Sequence, residues 1–88
     1  MIEHELKTLD VYFDAVANGT KKFEVRLNDR GFQKGDLLIL RHMDATGFVS
    51  SVEPPLFCNV LYVLQGGQFG IDPRYCVMSI EPRDGASK

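Results

Sequence analysis
Charged and apolar residues alternate through Lys22-Phe23-Glu24-Val25-Arg26-Leu27, directly after Gly19-Thr20-Lys21. Period-two alternation marks a strand, with Lys22, Glu24 and Arg26 on one face and Phe23, Val25 and Leu27 on the other. Same-face neighbours on a strand root roughly 7 Å apart, so the Glu24 carboxylate and its cationic neighbours can converge. Such a row can hold an anion or a polar base. The expectation is a core face of Phe23, Val25 and Leu27 backed by a charged outer face. Exposed ion pairs contribute only about 0–1 kcal/mol, so stability gives weak reason for the cluster.

His4 is a second candidate, on the apolar side of the alternating run from Ile2 to Lys7. A histidine there is either a hydrogen-bonded core residue or, if Glu24 or Glu5 orients it, a general base with a suitable unperturbed pKa of about 6.5. His42 has no evident partner and is expected to face solvent, and Asp29 and Arg30 are expected to pair within a turn. Cys58 and Cys76 each sit in an apolar run and read as small buried hydrophobes. Separated thiols, separated histidines and scattered carboxylates have no ligand spacing, so neither a metal nor a cofactor is expected.

The elements that must position these residues follow from periodicity. A short first strand covers 2–7. A helix then runs with Thr8 as N-cap, Asp10 at the positive end of its dipole, and Leu9, Tyr12, Phe13 and Val16 as one buried stripe. Asn18-Gly19 ends it, because glycine readily takes the left-handed conformation of a helix C-terminus. After the charged strand, two glycines and Asn28-Asp29 mark a loop from which Phe32 plugs back into the core. Leu37-Leu38-Ile39-Leu40 is apolar on both faces and reads as the middle of the sheet. Asp44 to Gly47 is a hairpin turn, 48–52 a modest strand stopped by Pro54-Pro55, and 56–64 a longer strand, mostly buried, with Leu56, Cys58, Val60, Tyr62 and Leu64 on one side. Residues 65–73 form a glycine-rich surface loop able to close over a pocket, and 75–80 the last strand. The class is α+β and mostly β: about six mainly antiparallel strands in a small barrel, with one helix packed over an opening.

Eighty-eight residues with 44% hydrophobic content supply one modest core, hence a single domain over 1–81; 82–88 has nothing large to bury and is expected to be a flexible tail. The net charge of −2 argues against nonspecific coating of nucleic acid. Its distribution is uneven: 21–41 holds six basic residues against three acidic, a local +3 that leaves −5 elsewhere. A basic strand region on an acidic body suits a discrete anion or nucleotide site. The chain starts with charge and has no run of about 20 apolar residues, so no membrane association is expected and the cytoplasm is the expected location.

Gly19-x-Lys21-x-x-Glu24-x-Arg26 resembles the G-x-K-x-x-E-x-R signature of ASCH domains, and Phe32-x-x-Gly35-Asp36 resembles the F-x-x-G-D segment that follows it there. With His4 to Lys7, Tyr12-Phe13 and Asn28-Asp29-Arg30, the chain is similar to a small phage and prophage group of ASCH-like domains without assigned function. The resemblance covers the first half well and the second by strand order. It implies a PUA-like barrel with a cleft beside the helix that holds RNA or a nucleotide, lined by Lys21, Glu24 and Arg26. Arg26 would offer a rigid fork to phosphate or to a base edge, Glu24 would accept from an exocyclic amine, and Lys21 would be a mobile charge. Tyr12 or Phe69 would stack on a base, with His4, Lys7 and Arg30 at the site's margins.

Some ASCH-like proteins are amidohydrolases that act on N4-acetylcytidine with a lysine, a threonine and a glutamate. Lys21 matches their lysine, Glu24 stands where they have threonine, and the helical insertion carrying their glutamate is absent; catalytic candidates here are Lys21, Glu24 and His4. Three functions therefore stand: an RNA- or nucleotide-binding module, a small hydrolase of a modified nucleoside, and a phage accessory protein that binds a host protein through exposed aromatics of the second half.

Overall fold
Alternation at the N-terminus yields β1 (Glu3–Leu9), which turns His4, Leu6 and Thr8 inward and leaves Glu3, Glu5 and Lys7 outside. A computed structural model describes residues 1–83. Helix α1 (Asp10–Ala17) leaves β1 without a linker, so its N-cap is Leu9 and no side chain caps it. Thr8 cannot be the cap, since it is still a strand residue with its side chain buried. Phe13 and Val16 are the buried part of the helical stripe, whereas Leu9 and Tyr12 stay 37% and 51% exposed along its edge.

Gly19 closes the helix with φ +86°, and the N–H groups of Thr20 and Lys21 both reach Ala15 O at 3.0 Å. The chain then enters β2 (Phe23–Leu27), followed by β3 (Leu37–Met43), β4 (Leu56–Gln65) and β5 (Tyr75–Pro82). They form one five-stranded sheet in the order β1-β3-β4-β5-β2, curled into a half-barrel with β1 and β2 as its edges. β1 runs parallel to β3, with α1 and β2 lying between them in sequence, and the other three pairings are antiparallel. β3 is interior as its apolar faces predict, although the middle position belongs to β4.

The core gathers Leu6, Phe13, Val16, Phe32, Leu38, Leu40 and Met78 between the curl of the sheet and α1. Leu38 and Leu40 are fully buried, and truncating either to alanine costs about 2–5 kcal/mol. A register shift at Val60/Tyr62 interrupts the β4–β5 ladder. Leu56, Cys58 and Val60 therefore point inward while Tyr62, expected on the same side, is 62% exposed.

Residues 48–52 do not form a strand. The Asp44–Gly47 turn is present, but only Val49 bridges back, to Met43. The reason is local competition: the N–H groups of Val52 and Glu53 both bond the Ser50 hydroxyl and not a neighbouring strand. At the other end β5 includes Pro82, the first residue of the expected tail; 84–88 lie outside the described residues.

Candidate ligand cleft between the sheet edges
The charged face of β2 points inward. Glu24 is 3% exposed, while Phe23, Val25 and Leu27 are 46%, 50% and 44% exposed, the reverse of the burial their types predict. An unpartnered carboxylate would pay several kcal/mol to be buried there, and its partners explain why it is tolerated. Lys21 Nζ donates to Glu24 Oε2 at 2.7 Å and to Phe23 O at 2.6 Å, and Arg26 Nε donates to Glu24 Oε1 at 2.9 Å. Both carboxylate oxygens are thus capped by cations whose side chains remain 17% and 22% exposed.

Arg26 also spans the gap between the sheet edges. Its Nη1 donates to Lys7 O at 3.1 Å and its Nη2 to Thr8 Oγ1 at 3.0 Å. One turn further on, Arg30 Nη1 donates to Glu5 O at 3.2 Å. These carbonyls need donors because of strand parity: Leu37 N–H bonds Ile2 O, so even-numbered residues of β1 face β3 and the carbonyls of Glu5 and Lys7 face the open edge. Side chains close this seam where a strand ladder would otherwise run.

The result is a cleft of about 500 Å³ lined by Thr8, Tyr12, Lys21, Phe23, Glu24 and Arg26 among others. That size lies in the range of small-ligand sites, about 300–1,000 Å³. Lys21 Nζ sits 5.6 Å from the centre of the Tyr12 ring and 4.7 Å from that of Phe23, so two aromatic faces flank the charge cluster. Unused hydrogen-bonding capacity remains. A guanidinium has five N–H groups and an ammonium three; with three and two engaged, Arg26 keeps two donors and Lys21 one. Glu24 keeps a lone pair on each oxygen. The cleft can therefore donate to an anion and accept from an amine at adjacent points.

Of the residues picked out from sequence, Lys21, Glu24, Arg26, Lys7 and Tyr12 line this cleft. Arg30 sits along the same seam, against Glu5 O. Phe69 is not among the lining residues; it is 83% exposed with φ +54° on the 65–73 loop, and Phe23 supplies the second ring instead. Gly66 pins that loop, because a Cβ there would meet Asp72 O at 2.0 Å.

His4 belongs elsewhere. Its Nε2 lies 2.9 Å from Asp36 Oδ2 and its ring meets Phe32 edge-on at 4.6 Å, so neither Glu24 nor Glu5 orients it. Burial alone would push the Asp36 carboxyl up, but the His4 hydrogen bond, the N–H groups of Ile2 and Gln33 and the His4 charge hold it below its ordinary 3.8. His42, expected in solvent, is instead enclosed by Asp10, Asp14 and Glu53, with the Phe13 ring tilted against it at 4.2 Å. Burial pulls its pKa down, yet the Asp14 hydrogen bond and the charges of Glu53, Asp10 and Asp14 raise it above 6.5 overall. Thr8, like Phe23, is a cleft residue that sequence reasoning missed as such; its signal was the alternation with His4 and Leu6, which turns it inward. Cys58 is buried behind the cluster: desolvation first and the Glu24 charge second push its thiol up to about 12.

The fold and cleft can be set beside known proteins. The sequence model of DUF3850, a domain of unknown function, matches residues 3–80, and the chain belongs to that family. An uncharacterised 12.9 kDa protein encoded in the GpA 3′ region of Escherichia phage P2 is 49% identical over 37 residues, 42% of this chain. The match spans about a third of that relative, 34% of its length. The crystal structure of hypothetical protein PH0355 is similar with a TM-score of 0.64 at 18% identity, covering 93% of this chain and 99% of the other. At that identity the likeness concerns the fold. Among the described residues no group of three or more His, Cys, Asp or Glu side chains is arranged to hold a metal ion, and no helix is long and apolar enough to cross a membrane.

Proposed function
We propose that the chain is a nucleotide- or RNA-binding module whose ligand occupies the cleft between β1 and β2. The observation that carries this reading is the inward-turned Glu24, held between Lys21 and Arg26 beneath two aromatic rings. A base stacked on Tyr12 or Phe23 would present an exocyclic amine to Glu24 and its acceptor edge or phosphate to Arg26 and Lys21. The resemblance to ASCH domains supports the same assignment, since its Lys, Glu and Arg positions are the ones gathered here. An amide-detected NMR titration with nucleoside 5′-monophosphates and short RNAs tests it. Shifts are expected at 7–12 and 21–26 and are expected to vanish in Arg26→Ala and Glu24→Gln. Wild-type binding by both variants would remove the assignment.

A second reading, hydrolysis of an N-acylated nucleoside, is favoured by one observation: Thr8, Lys21 and Glu24 line a single cleft despite their distance in sequence. Against it, the Thr8 hydroxyl already accepts from Arg26 Nη2, which weakens it as a nucleophile. Acetate release from N4-acetylcytidine that is lost in Thr8→Val would establish this reading; no turnover removes it.

A further inference from the structure
The cleft adjoins another hollow, of about 610 Å³, lined by Gly19, Lys22, Asn59, Ser79, Glu81 and Arg83 among others. Lys21 lines both, so the two meet at this residue. The two differ in chemistry. The first has the aromatic rings and the buried carboxylate; the second has no aromatic ring in its wall and holds Lys22 and Arg83, besides Lys21, against the carboxylate of Glu81.

Local structure keeps this second hollow open and basic. Gly19 adds no side chain to its wall. The N–H of Ile80 bonds Lys22 O at 3.0 Å, which fixes the end of β5 to the start of β2 and brings Arg83 to the same wall. Arg83 Nε reaches Asn59 Oδ1 at 3.4 Å, a long bond that leaves its terminal nitrogens for another acceptor.

We propose that cleft and hollow form one groove for a single-stranded polynucleotide, with a base in the cleft and the adjoining phosphodiester carried past Lys21 to Lys22 and Arg83. This rests on the nucleotide reading above and extends it from a single nucleotide to a strand. A stacking platform continued by a cationic track without aromatic side chains is an arrangement that suits a single strand. A free nucleotide would leave the second hollow unused.

The test titrates the protein with the four nucleoside 5′-monophosphates and with the four homotrinucleotides, in ribo and deoxyribo forms to separate RNA from DNA. A trinucleotide is expected to bind at least about tenfold tighter than its monophosphate and to shift the amides of Gly19, Lys22 and Ser79 as well as those of the cleft. The double variant Lys22→Ala/Arg83→Ala is expected to abolish that gain, to lower the salt slope by about 1.4 for two lost phosphate contacts, and to keep monophosphate binding. Equal affinities with shifts confined to the cleft would overturn the strand while leaving the nucleotide reading intact. So would a trinucleotide gain that survives in the double variant. No binding by any probe would overturn the nucleotide reading and the strand with it.

Discussion
Glu24 and Asp36 are buried alike, 3% and 4% exposed, and each faces basic side chains, yet they are held in different ways. Asp36 accepts from the N–H groups of Ile2 and Gln33 and from His4, so it ties the N-terminus, the 31–36 turn and β1 together. Its partners are largely backbone, and they cannot move without moving the fold. Among the described residues Glu24 is held only by the tips of two long side chains that look onto an open cleft. A ligand can compete for those tips. Equal burial thus separates a carboxylate that fixes structure from one that is available to bind, and the partners' freedom makes the difference.

Matched amide substitutions break or sharpen this contrast most directly. Asp36→Asn is expected to cost about 3 kcal/mol, as expected when one partner of a buried pair is removed, and to lower the melting temperature by roughly 15 °C. Glu24→Gln is expected to cost only about 1–2 kcal/mol, since the stranded cations can turn to water. Urea unfolding of both variants measures this, and equal losses would erase the distinction. Nucleotide binding is expected to reverse the order, lost by at least about tenfold in Glu24→Gln, the loss of one charge-assisted bond, and kept in whatever Asp36→Asn remains folded.

The pH dependence of stability provides a subtler comparison. Asp36 has a folded pKa below 3.8, so its contribution is present above that pH and disappears as pH falls through the folded value. His42 has a folded pKa above 6.5, so its contribution is complete below 6.5 and is lost as pH rises through the folded value. Melting curves across pH are expected to show both limbs. His42→Gln is expected to flatten the alkaline limb and leave the acid limb, to which Asp44 and Asp72, also held below their ordinary values by hydrogen bonds, contribute alongside Asp36. The smallest effect concerns Cys58, whose thiol is expected to resist alkylation at pH 8 in the folded protein. Glu24→Gln is expected to bring its pKa slightly below about 12, because one of the two causes of its elevation is removed; a pH series of thiol labelling reads this.

The helix and every expected strand except 48–52 were legible because periodicity is local. The order β1, α1, β2, β3, β4, β5, the Gly19 turn and the buried Phe32 all follow from short patterns. The orientation of β2 did not. Alternation separates Lys22, Glu24 and Arg26 from Phe23, Val25 and Leu27 but carries no information about which set faces in, a choice made here by Lys7, Thr8 and Lys21, the residues that meet the charges. His42 was misread for the same reason, since its carboxylates arrive from α1 and from the loop before β4. Tyr62 was misread because a bulge resets the phase of a strand without leaving a sequence mark.

The arginine seam has a consequence for isotope exchange. Arg26 and Arg30 are donors, so they satisfy the carbonyls of Lys7 and Glu5 but do nothing for the N–H groups of the same residues. In deuterium, β1 is therefore expected to exchange in alternation, with Glu5 and Lys7 fast and Leu6 and Thr8, paired to β3, slow. At Lys7, which lines the cleft, the fast amide is a spare backbone donor on which a ligand's acceptor can settle.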